Sequence, residues 1–323
     1  MIVNEGPWSM MVSRFRSALR YLLIPIFQAG VFAAGVLPRS LGYWLSSRGG
    51  DLAYYLLPMR RRVTAENYAR VLGTHPRDVQ VLRAVRNSLR NYGCYLYETV
   101  LFSHQTTEEV LRRVSIHFEE NLRQALGLGK GVIFVSAHFG NMELAAVALA
   151  NRVAPMTVAG TALEPRQVMD RLIRQRASKG LHMSVYAAAA RDVLMALKRN
   201  ETVGFLVDVG VRWGGGSVEV DFFGKPAPFP AGLALLALKT GAPVVPGYAV
   251  VRPDHGVEAF ALPPIVIQPS GDKLADARQC MQRVAHALES FIRDHPEQWY
   301  MFRPMWHEDG TRATSAVEAA GAC

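Results

Sequence analysis

From Val114 onward the chain repeats one pattern: a short run of consecutive apolar residues, a turn, then apolar side chains at helical spacing. Val132 to Ser136 is such a run, entered through a turn marked by Gly127, Gly129 and Gly131. A strand without polar alternation is buried on both faces, which requires a mostly parallel sheet covered by helices on either side. The pattern predicts further strands at Val114 to Phe118, Met156 to Ala159, Met183 to Tyr186, Val203 to Val207, Ser217 to Val220 and Val244 to Val251. Helices are expected at Glu119 to Leu126, Gly140 to Asn151, Arg166 to Ser178, Arg191 to Arg199, Gly232 to Thr240 and Ala275 to Asp294. The expected fold class is α/β: a sandwich with a mostly parallel central sheet flanked by helices.

The chain before this pattern reads differently. Ala65, Tyr68, Ala69 and Leu72, then Leu82, Val85, Leu89, Tyr92 and Leu96, recur at helical spacing, and Thr106 with Glu109 forms a capping box for a short helix through Arg113. Further upstream, Tyr21 to Leu37 carries no charge over 17 residues and follows Arg14, Arg16 and Arg20. Trp8, Tyr21, Tyr43 and Trp44 flank it as interface-seeking aromatics. The run sits at the lower limit for crossing a bilayer, and Pro25 and Gln28 interrupt it. Arginines before it, and Arg60, Arg61 and Arg62 after it, would both be held in the cytoplasm, which a single span forbids. An interfacial or re-entrant helix resolves the conflict better than a span or a buried core helix. The expected division is an N-terminal membrane anchor at 1–45, one large domain at 46–310 and a loose tail at 311–323.

Half of the 323 residues are hydrophobic and 20% are charged, so the chain can bury a real core. Its 36 Lys and Arg against 27 Asp and Glu leave +9, which favours anionic partners. Cys94, Cys280 and Cys323 form no metal-binding spacing and no disulfide framework, and no metal site is expected.

The stretch Ser136-Ala137-His138-Phe139-Gly140-Asn141-Met142-Glu143 stands where an apolar strand ends and a helix begins. Loops at the carboxyl ends of such strands are where α/β folds put ligands. With a helix starting at Gly140 or Asn141, Glu143 lies in its first turn and can fold back toward His138. The imidazole can then take a proton from an attacking hydroxyl while the carboxylate fixes its tautomer. The residues alone leave open that His138 merely ends a strand and that Glu143 merely complements a helix N-terminus. Glu143 follows His138 by five positions with no second histidine after it, so a helix-borne zinc motif is excluded.

Four ordered stretches carry a resemblance. His138, four residues and Glu143, after the Gly129-Lys130-Gly131 turn, form the first; Phe222-Phe223-Gly224-Lys225-Pro226-Ala227 with Gly232-Leu233-Ala234 the second. Thr240-Gly241-Ala242-Pro243-Val244-Val245-Pro246 is the third, and Glu297-Gln298-Trp299-Tyr300 through Arg303 and Trp306 the fourth. Together they resemble the bacterial lipid A late acyltransferases, the lauroyl and myristoyl transferases of the lysophospholipid acyltransferase superfamily. That resemblance implies a glycerolipid-acyltransferase-like fold with His138 and Glu143 as the catalytic pair. It also implies substrate-binding roles for Arg176, Asp208, Gly140, Asn141 and Gly224; a tetrahedral intermediate would need donors for its oxyanion, for which backbone amides near Gly140 with Arg176 are the candidates. The implied reaction moves a fatty acyl chain from an acyl carrier protein or coenzyme A thioester to a hydroxyl of a lipid or glycolipid. The thioester is a co-substrate and no cofactor is expected.

The implied location is the inner, cytoplasmic membrane with the catalytic domain on the cytoplasmic side, and nucleic acid is not an expected partner. Two departures from the family pattern concern the acceptor. An Arg before Asn-Pro is missing from Gly160 to Pro165, and Val209 stands where a Gln is usual. Arg166 or Arg171 could replace the missing cation. Phosphatidylinositol-mannoside or lysophospholipid acyl transfer is the alternative activity, and a catalytically silent lipid-binding scaffold the alternative from another class.

Overall fold

The structure, a computed structural model, describes residue 21 and residues 23–160, 164–185, 189–208 and 216–306. The expectations placed on Trp8, Arg14, Arg16, Arg20, Tyr186, Val209 and the tail after 310 lie outside these residues.

Seven strands form the central sheet in the order β1 (Val114–His117), β9 (Val257–Ala261), β8 (Val244–Val251), β2 (Val132–Ser136), β5 (Thr202–Leu206), β3 (Met156–Ala159) and β4 (Leu181–Ser184). Neighbours run parallel except β8 and β9, which pair antiparallel. This bears out the mostly parallel α/β reading. At the centre, β2 is buried at every position. Ile133 and Val135 face one apolar core and Val132 and Phe134 the other, as strand alternation dictates.

Two strands escaped the sequence reading. β7 (Lys225–Pro230) contains three prolines and pairs only with β6 (Ser217–Phe222) in a separate ribbon, where lost amide donors cost little. β9 alternates as Val-Glu-Ala-Phe-Ala and is too mixed to read as a buried strand, yet it pairs with both β8 and β1. β4 begins at Leu181, two residues earlier than expected: Gly180 at φ 76 turns the chain sharply, and Leu181 pairs in register with Met156.

α5 (Thr107–Arg112) leads into β1; α6 (Glu119–Leu126), α7 (Met142–Arg152), α8 (Arg166–Ala177), α9 (Ala189–Lys198) and α10 (Ala231–Thr240) lie between strands, and α11 (Lys273–Asp294) follows β9. The expected capping box is present, with Thr106 accepting from the Glu109 amide and Glu109 accepting from the Thr106 amide. Before the sheet come α1 (Leu23–Val36), α2 (Arg39–Leu56), α3 (Pro58–Val71) and α4 (Val79–Leu101). No helix among the described residues is long and apolar enough to cross a membrane. The 14 residues of α1 extend only about 21 Å, against a hydrocarbon core of about 30 Å.

The N-terminal helices are built into the fold. α2 crosses α4 where a side chain on Gly93 would strike the Ser46 carbonyl, so only glycine lets the backbones meet. Tyr43 is not at an interface as expected. It is buried, its hydroxyl bonds Glu98 and Arg113, and its ring stacks on His255 at 3.5 Å. Tyr21 and Trp44 are exposed.

Tyr68 on α3 is fully buried, and its hydroxyl donates to Trp299 O and lies 2.8 Å from Ser88 Oγ on α4. Tyr68→Phe would leave that carbonyl unsatisfied, and we expect a loss of about 1–3 kcal/mol in urea unfolding.

Candidate active site

The adjacent parallel strands β2 and β5 pair Ser136 with Leu206, and each chain runs two residues further before delivering its polar side chain. His138 and Asp208 therefore emerge side by side although 70 positions separate them. The His138 ring donates from Nδ1 to Asp208 Oδ1 at 2.7 Å, and its backbone N–H donates to Oδ2 at 2.9 Å. Trp299 Nε1–H completes the set at 3.0 Å from Oδ2. Burial alone would raise the pKa of this carboxyl, but the histidine charge and these hydrogen bonds overcome it and hold Asp208 below the usual carboxylate range. With Nδ1 committed as a donor, Nε2 is the nitrogen left to accept a proton.

The expected partnership of His138 with Glu143 is corrected by this geometry. Glu143, buried in the first turn of α7, accepts from Arg176 Nε of α8 at 2.9 Å. Arg176 also reaches the Met183 sulfur at 3.2 Å. Burial would weaken the arginine's hold on its proton, and Glu143 more than restores it, so its pKa lies above the ordinary value. Each carboxylate thus has its own cation or donor set, and all but Asp208 of the four residues line one cavity. The helix-first-turn reading of Glu143 was right about position; the strand register decided the partner.

The loop between β2 and α7 is held from behind. Gly140 adopts φ 56 and approaches so closely that a Cβ would lie 1.7 Å from Ala249 O. Its N–H donates to Gln298 O at 2.9 Å, so that amide is occupied and is not the free oxyanion donor expected of it. Asn141 is buried and caps α7, its side chain accepting from the Leu144 amide. Neither Gly140 nor Asn141 lines the cavity, and Gly224 stands in the β6–β7 turn at φ 73, also away from it. The Tyr300 amide donates to His138 O, and Gln298 bonds both backbone groups of Val251.

The cavity holds about 1000 Å³. Its inner part is apolar, with Phe134, Leu149, Met156, Leu172 and Leu181 among its walls. The cavity is also lined by Tyr92, Tyr95, Tyr300 and Phe302, whose rings pack against one another with centroids 5.1 to 6.4 Å apart, and by the exposed Arg60 and Arg303. His138 lies on the wall of the same cavity. Arg166, ion-paired to Asp170 at 3.6 Å, and Arg171, over the Phe27 ring, do not line it. In sequence the run Arg60 to Arg62 suits an acidic phospholipid or an acidic carrier; that Arg60 lines the cavity is visible only in the structure. Sequence reasoning missed Trp299 as the third donor to Asp208 because nothing in sequence ties the two. Among the described residues no group of three or more His, Cys, Asp or Glu side chains gathers in metal-binding geometry.

These features define an α/β enzyme with a histidine–carboxylate pair at the rim of a lipid-sized cavity. The chain belongs to the family described as bacterial lipid A biosynthesis acyltransferase, matched over residues 10–308. It is similar to a phosphatidylinositol mannoside acyltransferase of Mycolicibacterium smegmatis, 28% identical over 250 residues, 75% of this chain and 78% of that one. It is also similar to the Mycobacterium tuberculosis protein of the same name, 31% identical over 251 residues, 76% of each chain. The protein is an acyltransferase. The names of these relatives match the alternative acceptor of the sequence reading rather than lipid A.

If Asp208 fixes the His138 tautomer, Asp208→Asn should lower kcat by about 10³-fold or more in a folded protein, because the amide can pin the wrong tautomer. A carboxylate with a depressed pKa stabilises the fold fully above the ordinary carboxylate range, and that stability is lost as pH falls through the lowered value. Asp208→Asn should therefore flatten the acid limb of the curve of Tm against pH, measured by thermal unfolding between neutral and acid pH.

Proposed function

We propose that the protein transfers a fatty acyl chain from a thioester to a hydroxyl on the sugar or cyclitol headgroup of a phosphorylated glycolipid at the membrane surface. The observation that carries this reading is that His138 shares one cavity with buried apolar side chains, a cluster of tyrosine and phenylalanine rings, and the exposed arginines Arg60 and Arg303. The inner walls suit an acyl chain. Tyrosine rings offer an apolar face and a hydroxyl together, which suits a sugar ring, and Arg60 and Arg303 suit its phosphate. The relatives' names support a glycolipid acceptor of the phosphatidylinositol mannoside kind over lipid A.

In the proposed mechanism Nε2 of His138 removes the proton of the acceptor hydroxyl as its oxygen attacks the thioester carbonyl. Asp208 stabilises the imidazolium that forms. Arg176, fixed by Glu143, places positive charge on the cavity wall where the substrate gains negative charge. The thiolate then leaves and recovers the proton from His138. We assign no cofactor to this chemistry, and either acyl carrier protein or coenzyme A fits as the donor's carrier.

The test is to incubate purified protein with labelled thioesters of both carriers and a panel of phosphatidylinositol mannosides, lysophospholipids and lipid A precursors, and to identify products by mass spectrometry. We expect the mannosides to be acylated and His138→Ala to lower turnover about 10²-fold or more. Preferential acylation of a lipid A precursor, or near-normal turnover by folded His138→Ala, would overturn the reading.

The proposed location is the cytoplasmic face of the inner membrane. Ile26, Phe32, Val36, Trp44, Leu52 and Tyr55 on α1 and α2 are exposed, as are Met59 and Leu96, which also line the cavity. Nearby Arg48 and Arg61 would add roughly 1 kcal/mol each at an anionic surface. Removal of residues 1–45 would cut through α2 and uncover α4, so point substitutions are the better probe. Phe32→Glu with Trp44→Glu should weaken binding to anionic vesicles at least about tenfold, measured by flotation, and leave turnover of detergent-dispersed substrate nearly unchanged. Unaltered vesicle binding would place the membrane contact elsewhere.

A further inference from the structure

Ser136 closes β2, a strand otherwise composed of Val, Ile and Phe, and its hydroxyl has no hydrogen-bond partner although the residue is only 6% exposed. An unsatisfied buried hydroxyl costs stability, and this one borders the cavity. Strand alternation explains where it points. Phe134, Ser136 and His138 all line the cavity, whereas Ile133, Val135 and Ala137 pack into the core behind the sheet. Along one wall the chain thus presents an apolar ring, then a hydroxyl, then the imidazole.

We infer that Ser136 Oγ–H donates to the thioester carbonyl oxygen and to the oxyanion it becomes, an assignment that rests on the acyl-transfer reading given above. Spacing supports it. Two residues along a strand cover about 6.6 Å. A tetrahedral carbon with one hydrogen bond to its incoming oxygen and another to its oxyanion spans at most about 8 Å between the two protein atoms. Backbone positions so spaced are of the right order for one reacting carbon to meet both side chains, and in the proposed arrangement its acyl chain runs past Phe134.

The chemistry balances with Ser136 uncharged throughout. The acceptor oxygen forms the new C–O bond as its proton passes to Nε2, and the carbonyl π pair moves to the oxygen that Ser136 contacts. When that pair returns, the C–S bond breaks and the departing thiolate takes the proton from His138. The Gly140 amide, bonded to Gln298 O, leaves this place open for another donor.

The experiment compares wild type, Ser136→Ala and Thr202→Val in single-turnover assays of transfer to acceptor lipid and of slow thioester hydrolysis to water, together with Tm. Thr202 is the control: it is 1% exposed with an equally unpartnered hydroxyl, but it lies outside the cavity. Removing one oxyanion donor can cost about 10²–10³ in kcat. We expect Ser136→Ala to lower transfer and hydrolysis by the same factor, at least about tenfold, with KM for the thioester little changed and Tm equal or higher. Thr202→Val should leave both rates unchanged. A role in holding the acceptor would slow transfer and spare hydrolysis, and a structural role would lower Tm; either result overturns the assignment. So would rates within about twofold of wild type, or an acyl adduct on Ser136 trapped by acid quench. A wild type that cleaves no thioester would sink the acyl-transfer reading itself, whereas an active wild type matched by Ser136→Ala would sink only the role of Ser136.

Discussion

A carboxylate taken fully out of water is tolerable only when its lone pairs are occupied, and the active-site half of this fold is arranged around meeting that demand for Asp208. Its three hydrogen bonds come from the His138 ring, the His138 amide and the Trp299 indole. They bring together the ends of β2 and β5 and the segment after α11, three parts of the chain remote in sequence. Electrostatics and topology are coupled here. The parallel register of β2 and β5 puts the carboxylate beside the imidazole, and the ring pays no search for its orientation because both the amide and Nδ1 of one residue grip one carboxylate.

Glu143 and Arg176 form a second, separate unit. The sidechains are 6% and 14% exposed, so neither charge would be tolerable alone. Arg176 comes from α8 and Glu143 from α7, and the pair ties these helices together across the cavity wall. The two carboxylates thereby have different partners: Asp208 faces the His138 and Trp299 donors, Glu143 a permanent cation. A single histidine–glutamate couple would instead have left Arg176 buried and unpaired.

Local pattern carried most of the fold into view. Val132 to Ser136, Glu119 to Leu126 and Met156 to Ala159 have the bounds that their apolar runs and helical spacing dictate. β7 did not, because its prolines argue against any strand whose amides must pair, and only its place in a two-stranded ribbon removes the objection. The site was legible in its loop but not in its pairing. That Glu143 stands in the first turn of α7 follows from local spacing; that Nδ1 of His138 turns to Asp208 follows from the neighbour relation of β2 and β5, which no local pattern encodes. Ser136 did leave a trace, a hydroxyl in an apolar strand at the same parity as His138, but parity acquires meaning only once the cavity shows which face is which.

The segment 297–300 links this chemistry to the N-terminal helices. Trp299 gives its indole N–H to Asp208 while its carbonyl accepts from Tyr68 of α3, and Asn91 of α4 donates to Glu297 O. The neighbouring amides continue the chain: Tyr300 N–H donates to His138 O, and Gln298 O accepts from Gly140. His138, Asp208 and the turn at Gly140 are therefore fixed by a strip of backbone that α3 and α4 hold down. α1 and α2, which expose Phe32 and Trp44, both pack on α4. Hydrogen bonds from α3 and α4 thus reach through the 297–300 strip to His138, so these two helices share the scaffold that holds the imidazole. The cavity wall drawn from α3, α4 and residues 301–304, just after this strip, is tied to the same framework.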